Sequence, residues 1–370
     1  MTVTRTVVVT GGLGGAGLVP ALVRVIGYDA LTAVVNVGDD FDWFGLRVCP
    51  DIDTVLYALA GVFDGERGWG IAGDSFTTVA ALGDLGAAPW FGIGDRDMAT
   101  HLRRSELLAS GLTLTEVTRE LATVLGAGPV AVVPAADHPS PTRLVLDDGG
   151  TVDFQDWYVR RQGVPPVHAI VAGGGPAAPG VVAALAAAQA VVLGPSNPVT
   201  SIGPVLALDG VRSAIAAVSV RIAVSPVVCG GDAPRAGVEH HSRARRAVLG
   251  ASGDHDDPAG IAAYYARTYP GLVGTFVLDH RDAAAADAVA AVGMQPVLGD
   301  LLDPQALAQV VADLVGTAAG PAPGPALGAM PVGARSASNA VSRSAAIAGV
   351  PSPKARHRSS MPDLPAPTSR

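Results

Sequence analysis

The stretch that decides the fold runs from Thr6 to Val37. Thr6-Val7-Val8-Val9 is a short β-branched run, followed by Gly11-Gly12-Leu13-Gly14-Gly15-Ala16-Gly17, an apolar helical stretch from Leu18 to Ile26, and Leu31-Thr32-Ala33-Val34-Val35-Asn36-Val37. Strand, glycine loop, helix, strand reads as a βαβ unit, the repeat from which parallel sheets are built. Both strand runs are apolar without alternation, as strands covered on two faces are. Similar runs recur at Val130-Ala131-Val132-Val133, Ala169-Ile170-Val171-Ala172, Ala190-Val191-Val192-Leu193 and Arg221-Ile222-Ala223-Val224-Ser225. The repetition predicts an α/β fold with a doubly wound, mainly parallel Rossmann-like sheet, its ligand lying at the carboxyl ends of the strands.

Around this frame, residues 54–126 read as a helical insertion, and residues 142–161 as a hairpin turning at Asp147-Asp148-Gly149-Gly150. From Thr317 the chain is mainly Ala, Pro, Ser, Gly and Arg with no apolar period. The expected organisation is one α/β domain over 1–316 and a disordered low-complexity tail over 317–370.

Composition narrows the function. With 49% hydrophobic residues among 370, the chain has enough apolar surface for a substantial core. The tail holds six of the 25 basic and one of the 33 acidic residues, leaving 19 against 32, a net of -13, before it. Such a core is a poor partner for nucleic acid. The single lysine is Lys354, so no core lysine is present to hold phosphate or form a Schiff base. Two cysteines without metal spacing, no secretory leader pattern, and apolar runs at 179–193 and 213–229 that are interrupted before a spanning length point to a cytoplasmic protein with no membrane partner.

Four segments offer chemistry. The loop at Gly11, Gly12 and Gly14 suits an anion, because glycines let backbone amides approach a phosphate at a helix N-terminus. It is no Walker loop, since no Gly-Lys-Ser/Thr follows. The second strand ends at Asn36-Val37-Gly38-Asp39-Asp40, with Asp42, Asp51 and Asp53 close behind. Five aspartates in fifteen residues repel one another unless a divalent cation gathers them, although Asp51 or Asp53 as a helix cap is the simpler alternative. Gly194-Pro195-Ser196-Asn197-Pro198-Val199-Thr200-Ser201 offers Ser196, Asn197 and Ser201 on a proline-stiffened turn, suited to an anion or else satisfied by itself. Gly94-Asp95-Arg96-Asp97-Met98-Ala99-Thr100-His101 places Asp95, Arg96 and His101 at a helix start, as phosphate contacts or as internal ion pairs.

These segments, in this order, resemble the 2-phospho-L-lactate transferase family of coenzyme F420 biosynthesis, with Cys49-Pro50-Asp51-Ile52-Asp53-Thr54, Arg67-Gly68-Trp69-Gly70 and Asp153-Phe154-Gln155-Asp156-Trp157 adding to the match. The resemblance spans about residues 6–230 and, more loosely, 260–315. It implies a transferase moving a phosphoenolpyruvyl or 2-phospholactyl group from a guanylylated donor to the ribityl hydroxyl of the deazaflavin FO, releasing GMP, with Mg²⁺ as cofactor. Carried onto this chain, Asp39 and Asp53 are the expected catalytic residues, Asp53 binding FO, and Asp39 with Asp51 the metal ligands. The glycine loop, Asn36, Asp95, Arg96, His101, Ser196, Asn197 and Ser201 would contact the substrates. A homodimer is the common assembly for such an enzyme.

Two departures stand out. The family pattern has a basic residue directly after the glycine loop where this chain has Gly17, and the Arg- and His-rich segment 235–257 is unmatched. Arg243, Arg245 and Arg246 are the cations available to restore the charge. The alternative function is therefore a weakened paralogue that only binds nucleotide or deazaflavin; a nicotinamide dehydrogenase is disfavoured by the absence of a clear Tyr-Lys or His catalytic pair.

Overall fold

Among the described residues twelve strands are laid down in chain order: β1 (Thr6–Thr10), β2 (Leu31–Val35), β3 (Phe41–Trp43), β4 (Leu46–Val48), β5 (Ala131–Pro134), β6 (Arg143–Leu146), β7 (Thr151–Asp153), β8 (Val167–Val171), β9 (Ala190–Leu193), β10 (Val220–Val224), β11 (Thr275–Asp279) and β12 (Gln295–Gly299). The computed structural model describes residues 4–229 and 238–318. The expected tail beyond Ala318, and residues 235–237 of the unmatched segment, lie outside the described residues.

Seven strands form one sheet in the order β12-β11-β10-β9-β1-β2-β5, every neighbouring pair parallel. The chain builds outward from β1 through β2 to β5, then returns to the other side of β1 with β9 and builds the opposite way. The order therefore reverses between β1 and β9. In doubly wound sheets that reversal opens a crevice beyond the carboxyl ends of the two strands, because the connections leave in opposite directions. Every residue of β1 and of β9 is buried, the burial that apolar runs without alternation require.

The first crossover is helix α1 (Gly12–Ile26), which packs against α2 (Pro50–Leu59) and against the last helix, Pro304–Ala318. Three more helices, α3 (Thr77–Asp84), α4 (Asp95–Ala109) and α5 (Leu114–Leu125), follow before β5. Thr113 and Glu116 close a reciprocal capping box at the start of α5. A smaller cluster of Trp43, Val48, Ile93 and Met98 sits apart from the main core, joining the β3–β4 hairpin to this helical region.

Ala169–Ala172 is corrected by the structure. Read as a buried parallel strand, it forms β8, antiparallel to β6 at the edge of a separate β7-β6-β8 sheet, with Val171 exposed. Its neighbour on the other side is no strand, so apolar content alone misassigned it. Conversely, β11 and β12 complete the parallel sheet although their runs are shorter of β-branched residues. No helix among the described residues is long and apolar enough to cross a membrane.

Candidate functional site

The crevice between β1 and β9 is lined by the first and third of the motifs read above. Gly11 ends β1, and its backbone N–H donates to the Ser196 hydroxyl at 3.1 Å, while that hydroxyl lies 2.8 Å from the Gly11 carbonyl and 3.0 Å from the Thr10 hydroxyl. Ser196 thus staples the two strand ends together. Asn197 is turned inward: its side-chain oxygen accepts from the Val199 and Thr200 amides at 2.9 and 3.3 Å, capping the turn Pro198–Ile202. Both are engaged within the protein, Ser196 across to β1 and Asn197 with its own turn, and Ser201 lies beside Gly11.

The glycines are set by close approach. A Cβ on Gly11 would stand 2.2 Å from an Asp51 carboxylate oxygen, and one on Gly14 would stand 2.3 Å from the Pro195 carbonyl oxygen. Gly11 brings no side chain to cap α1, and the first turn of α1 holds no acidic residue. The positive end of the helix dipole therefore faces the crevice. Gly17, one turn farther on, faces Pro304, whose Cγ would be 3.6 Å from an added Cβ.

Asn36, fully buried beyond β2, organises the acids. Its Nδ2 donates to Asp51 at 2.9 Å, to Asp39 at 3.2 Å and to the Thr200 carbonyl at 3.3 Å, while its Oδ1 accepts from the Gly38 amide at 2.8 Å. Gln155 donates to the other Asp39 oxygen at 3.4 Å. Burial pushes the Asp39 carboxyl well above the usual range, and Asp51 beside it pushes the same way. Asp51 is pushed up to about 6 by burial, against the opposing hydrogen bonds of Asn36 and the Gly12 amide. Among the described residues no Arg or His forms an ion pair with either acid. Two buried carboxylates sharing one amide donor, with hard oxygens and no internal counter-ion, are a donor set suited to a hard divalent cation.

Asp53 goes elsewhere. Two residues along a helix are separated by about 200° of rotation, so Asp51 and Asp53 leave α2 on opposite sides. Both Asp53 oxygens are held by the fully buried guanidinium of Arg104 on α4, one of them at 3.0 Å. Arg104 also donates to His101 Nδ1 at 3.2 Å. That bond leaves the ring proton on Nε2, which faces Asp97 at 3.2 Å, and Asp97 accepts from the Tyr57 hydroxyl at 2.7 Å. His101, expected at a phosphate, is thus a buried partner within the network that joins α2 to α4.

Asp95 accepts from Ser75 at 2.6 Å and from the Thr77 and Thr78 amides at 3.0 and 2.9 Å, tying down the start of α3. These bonds hold its carboxyl below the ordinary range. Arg96 is exposed and donates to the Ala72 carbonyl at 3.1 Å. The structure therefore brings together Gly11, Gly12, Asn36, Asp39, Asp51, Ser196, Asn197 and Ser201, with Gly14 behind them. It sets Asp53 and His101 in a second network and Asp95 and Arg96 in the first turn of α4, holding residues 72–78.

Sequence reasoning missed Gln155, Arg104, Asp97 and Tyr57 as parts of this region. Asp97, His101 and Arg104 at spacings of four and three form a polar stripe on one helix face, the signal that identifies a buried network. Of the cations proposed to offset Gly17, Arg245 is paired with Asp256 at 2.6 Å and Arg246 lies 4.0 Å from the same acid. Arg243 donates to the Gln162 carbonyl at 3.3 Å. Asp279, His280 and Asp300, at the far end of the sheet, bring three ligand atoms within 4.8 Å of one another, but Asp279 is already held by Arg281 and the Leu301 amide.

A family model described as 2-phospho-L-lactate transferase CofD matches residues 6–315. The phosphoenolpyruvate transferase of Kitasatospora aureofaciens is 38% identical over 299 residues, covering 78% of this chain and 89% of its own. That of Mycobacterium sp. strain KMS is 36% identical over 331 residues, covering 83% and 96%. Two crystal structures of a Bacillus halodurans protein, BH3568, described as a member of the UPF0052 family, share the fold with TM-scores of 0.52 and 0.54. They do so at 16% and 15% identity, covering 84% and 85% of this chain and 99% of theirs. With the family match running over nearly all the described residues and the glycine loop, Asn36 and its acids gathered at the switch point, the chain belongs to the 2-phospho-L-lactate transferase family.

Proposed function

We propose that this protein transfers a phosphoenolpyruvyl group from a guanylylated donor to FO. The terminal ribityl oxygen of FO bonds to the phosphorus that carries the enolpyruvyl group, the bond from that phosphorus to the GMP oxygen breaks, and GMP leaves with the electron pair as the hydroxyl loses its proton. The observation that carries this reading is the Asp39–Asn36–Asp51 arrangement beside the N-terminus of α1. In-line transfer between two anionic partners needs positioning and charge neutralisation more than covalent chemistry.

Asp39 and Asp51 are the residues that would hold Mg²⁺, which when bound would neutralise negative charge on the donor phosphates. The start of α1 would take the donor diphosphate: the Gly11 and Gly12 amides are committed to Ser196 and Asp51, which fix the turn whose glycines allow the close approach. The enolpyruvyl donor is preferred to the phospholactyl one because the curated relatives above are named phosphoenolpyruvate transferases. The deciding experiment is mass spectrometry of the product formed from FO and each donor in turn with Mg²⁺. A phosphodiester from the enolpyruvyl donor is expected. Tight GDP binding without product from either donor would instead establish a binding protein.

A further inference from the structure

A fully buried ion pair is an expensive way to join two helices, since apolar side chains of equal volume hold them as well or better. What the pair adds is direction. An apolar contact lets one helix roll against another, whereas the planar fork of an arginine meets both oxygens of a carboxylate in one orientation only.

Arg104 on α4 grips Asp53 in this way, and its remaining contacts, the Arg47 carbonyl at 3.4 Å and His101 at 3.2 Å, fix the fork from the other side. Asp53 lies in the first turn of α2, and its amide donates to the Cys49 carbonyl at 3.0 Å. Asp51 occupies the same turn on the opposite side, reaching Asn36 and the Gly12 amide. A roll of α2 by one residue, about 100°, would carry Asp51 away from Asn36.

We propose that Arg104 is a positioning residue: by holding Asp53 it sets the rotation of α2 that presents Asp51, beside Asp39, to a divalent cation. Arg104 itself touches no substrate. The inference rests on the reading above that Asp39 and Asp51 hold the cation.

The test separates positioning from stability. In the full-length protein, Arg104→Met combined with Asp53→Leu removes both charges and leaves a packed apolar contact, so the melting temperature should stay at or above that of the wild type. Mn²⁺, used as a probe and followed by electron paramagnetic resonance, should bind about fivefold or more weakly, and kcat with FO and donor should fall about tenfold or more, because small misplacements cost that much. A stable double variant with wild-type Mn²⁺ affinity overturns the proposal. Should the double variant not fold, Arg104→Lys keeps the charge without the fork and is expected to bind Mn²⁺ more weakly than wild type; unchanged affinity there overturns it equally. A wild-type protein that binds Mn²⁺ but forms no product condemns the transferase reading alone, since the Mn²⁺ comparison still decides the role of Arg104.

Discussion

The same substitution at two positions of α1 should have opposite effects. Gly14→Ala places a methyl group 2.3 Å from the Pro195 carbonyl oxygen, 2.6 Å from its carbon and 2.7 Å from the Ser196 hydroxyl. Non-bonded contacts of this kind settle near 3.5 Å, so the helix must retreat by roughly 1 Å from the loop after β9. The obstacle is backbone, which no rotamer change relieves, and overpacking of this sort costs about 1–3 kcal/mol. Alanine regains about 1 kcal/mol of helix propensity over glycine, leaving a net loss of up to about 2 kcal/mol. Gly17→Ala meets only Pro304, at 3.6 Å, an ordinary contact. There the helix gain stands nearly alone, and the variant should be about 0.5–1 kcal/mol more stable than wild type. Urea denaturation with matched slopes measures both, and calorimetric titration with GDP should show weaker binding for the Gly14 variant only, because its methyl displaces the Ser196 staple. If the two variants shift the midpoint with the same sign, the close approach at Pro195 is refuted and the crevice is wider than described.

Asp39→Asn should abolish most turnover while leaving the melting temperature close to wild type, because a carboxamide is a poor ligand for a hard cation yet its one oxygen still accepts from Asn36, losing only the 3.4 Å contact from Gln155; a wild-type rate with unchanged Mg²⁺ dependence would count against the assignment. Gly17→Arg should tighten GDP binding by about 0.5–1.5 kcal/mol through one charge-assisted hydrogen bond, given that Arg245 is already committed to Asp256; calorimetry showing no gain would place the donor phosphates away from this helix face. Thr113→Ala removes one half of the capping box of α5 and should cost about 1 kcal/mol in urea denaturation without altering turnover.

The parallel sheet was legible because strands covered on both faces must be continuously apolar, and β1, β2 and β9 are. β8 deceived for the same reason: four apolar residues look alike in a sheet centre and at an edge, and only pairing tells them apart. The gathering of Asn36, Asp39 and Asp51 could be read from repulsion, since so many acids on one strand end need a common purpose. The parting of Asp51 from Asp53 required knowing that Pro50 begins a helix, after which two residues of rotation send them to different neighbours. His101 misled because a histidine near a helix start and one buried midway through a helix differ only in where the helix begins, six residues earlier in this chain, at Asp95. Asp95 and Arg96, at the start of α4, hold Ala72, Ser75 and Thr78, which form no periodic pattern with them and left no trace in the spacing.

The switch point between β1 and β9 has a consequence for biosynthesis. Thr6 pairs with Leu31 on one side and with Ala190 on the other. A nascent chain can therefore zip β1 to β2 early, but the opposite edge of β1 waits for a strand made much later, roughly 10–40 s at ordinary elongation rates. Throughout that interval a strand that ends up buried along its whole length carries a bare row of amides and carbonyls, the template on which chains aggregate. The Ser196 staple to Gly11 is absent too, because Ser196 has not been made. On the proposed function a ligand could not assist the first half of folding, and a chain cut short before Ala190 would be born with neither a finished sheet nor the proposed donor site.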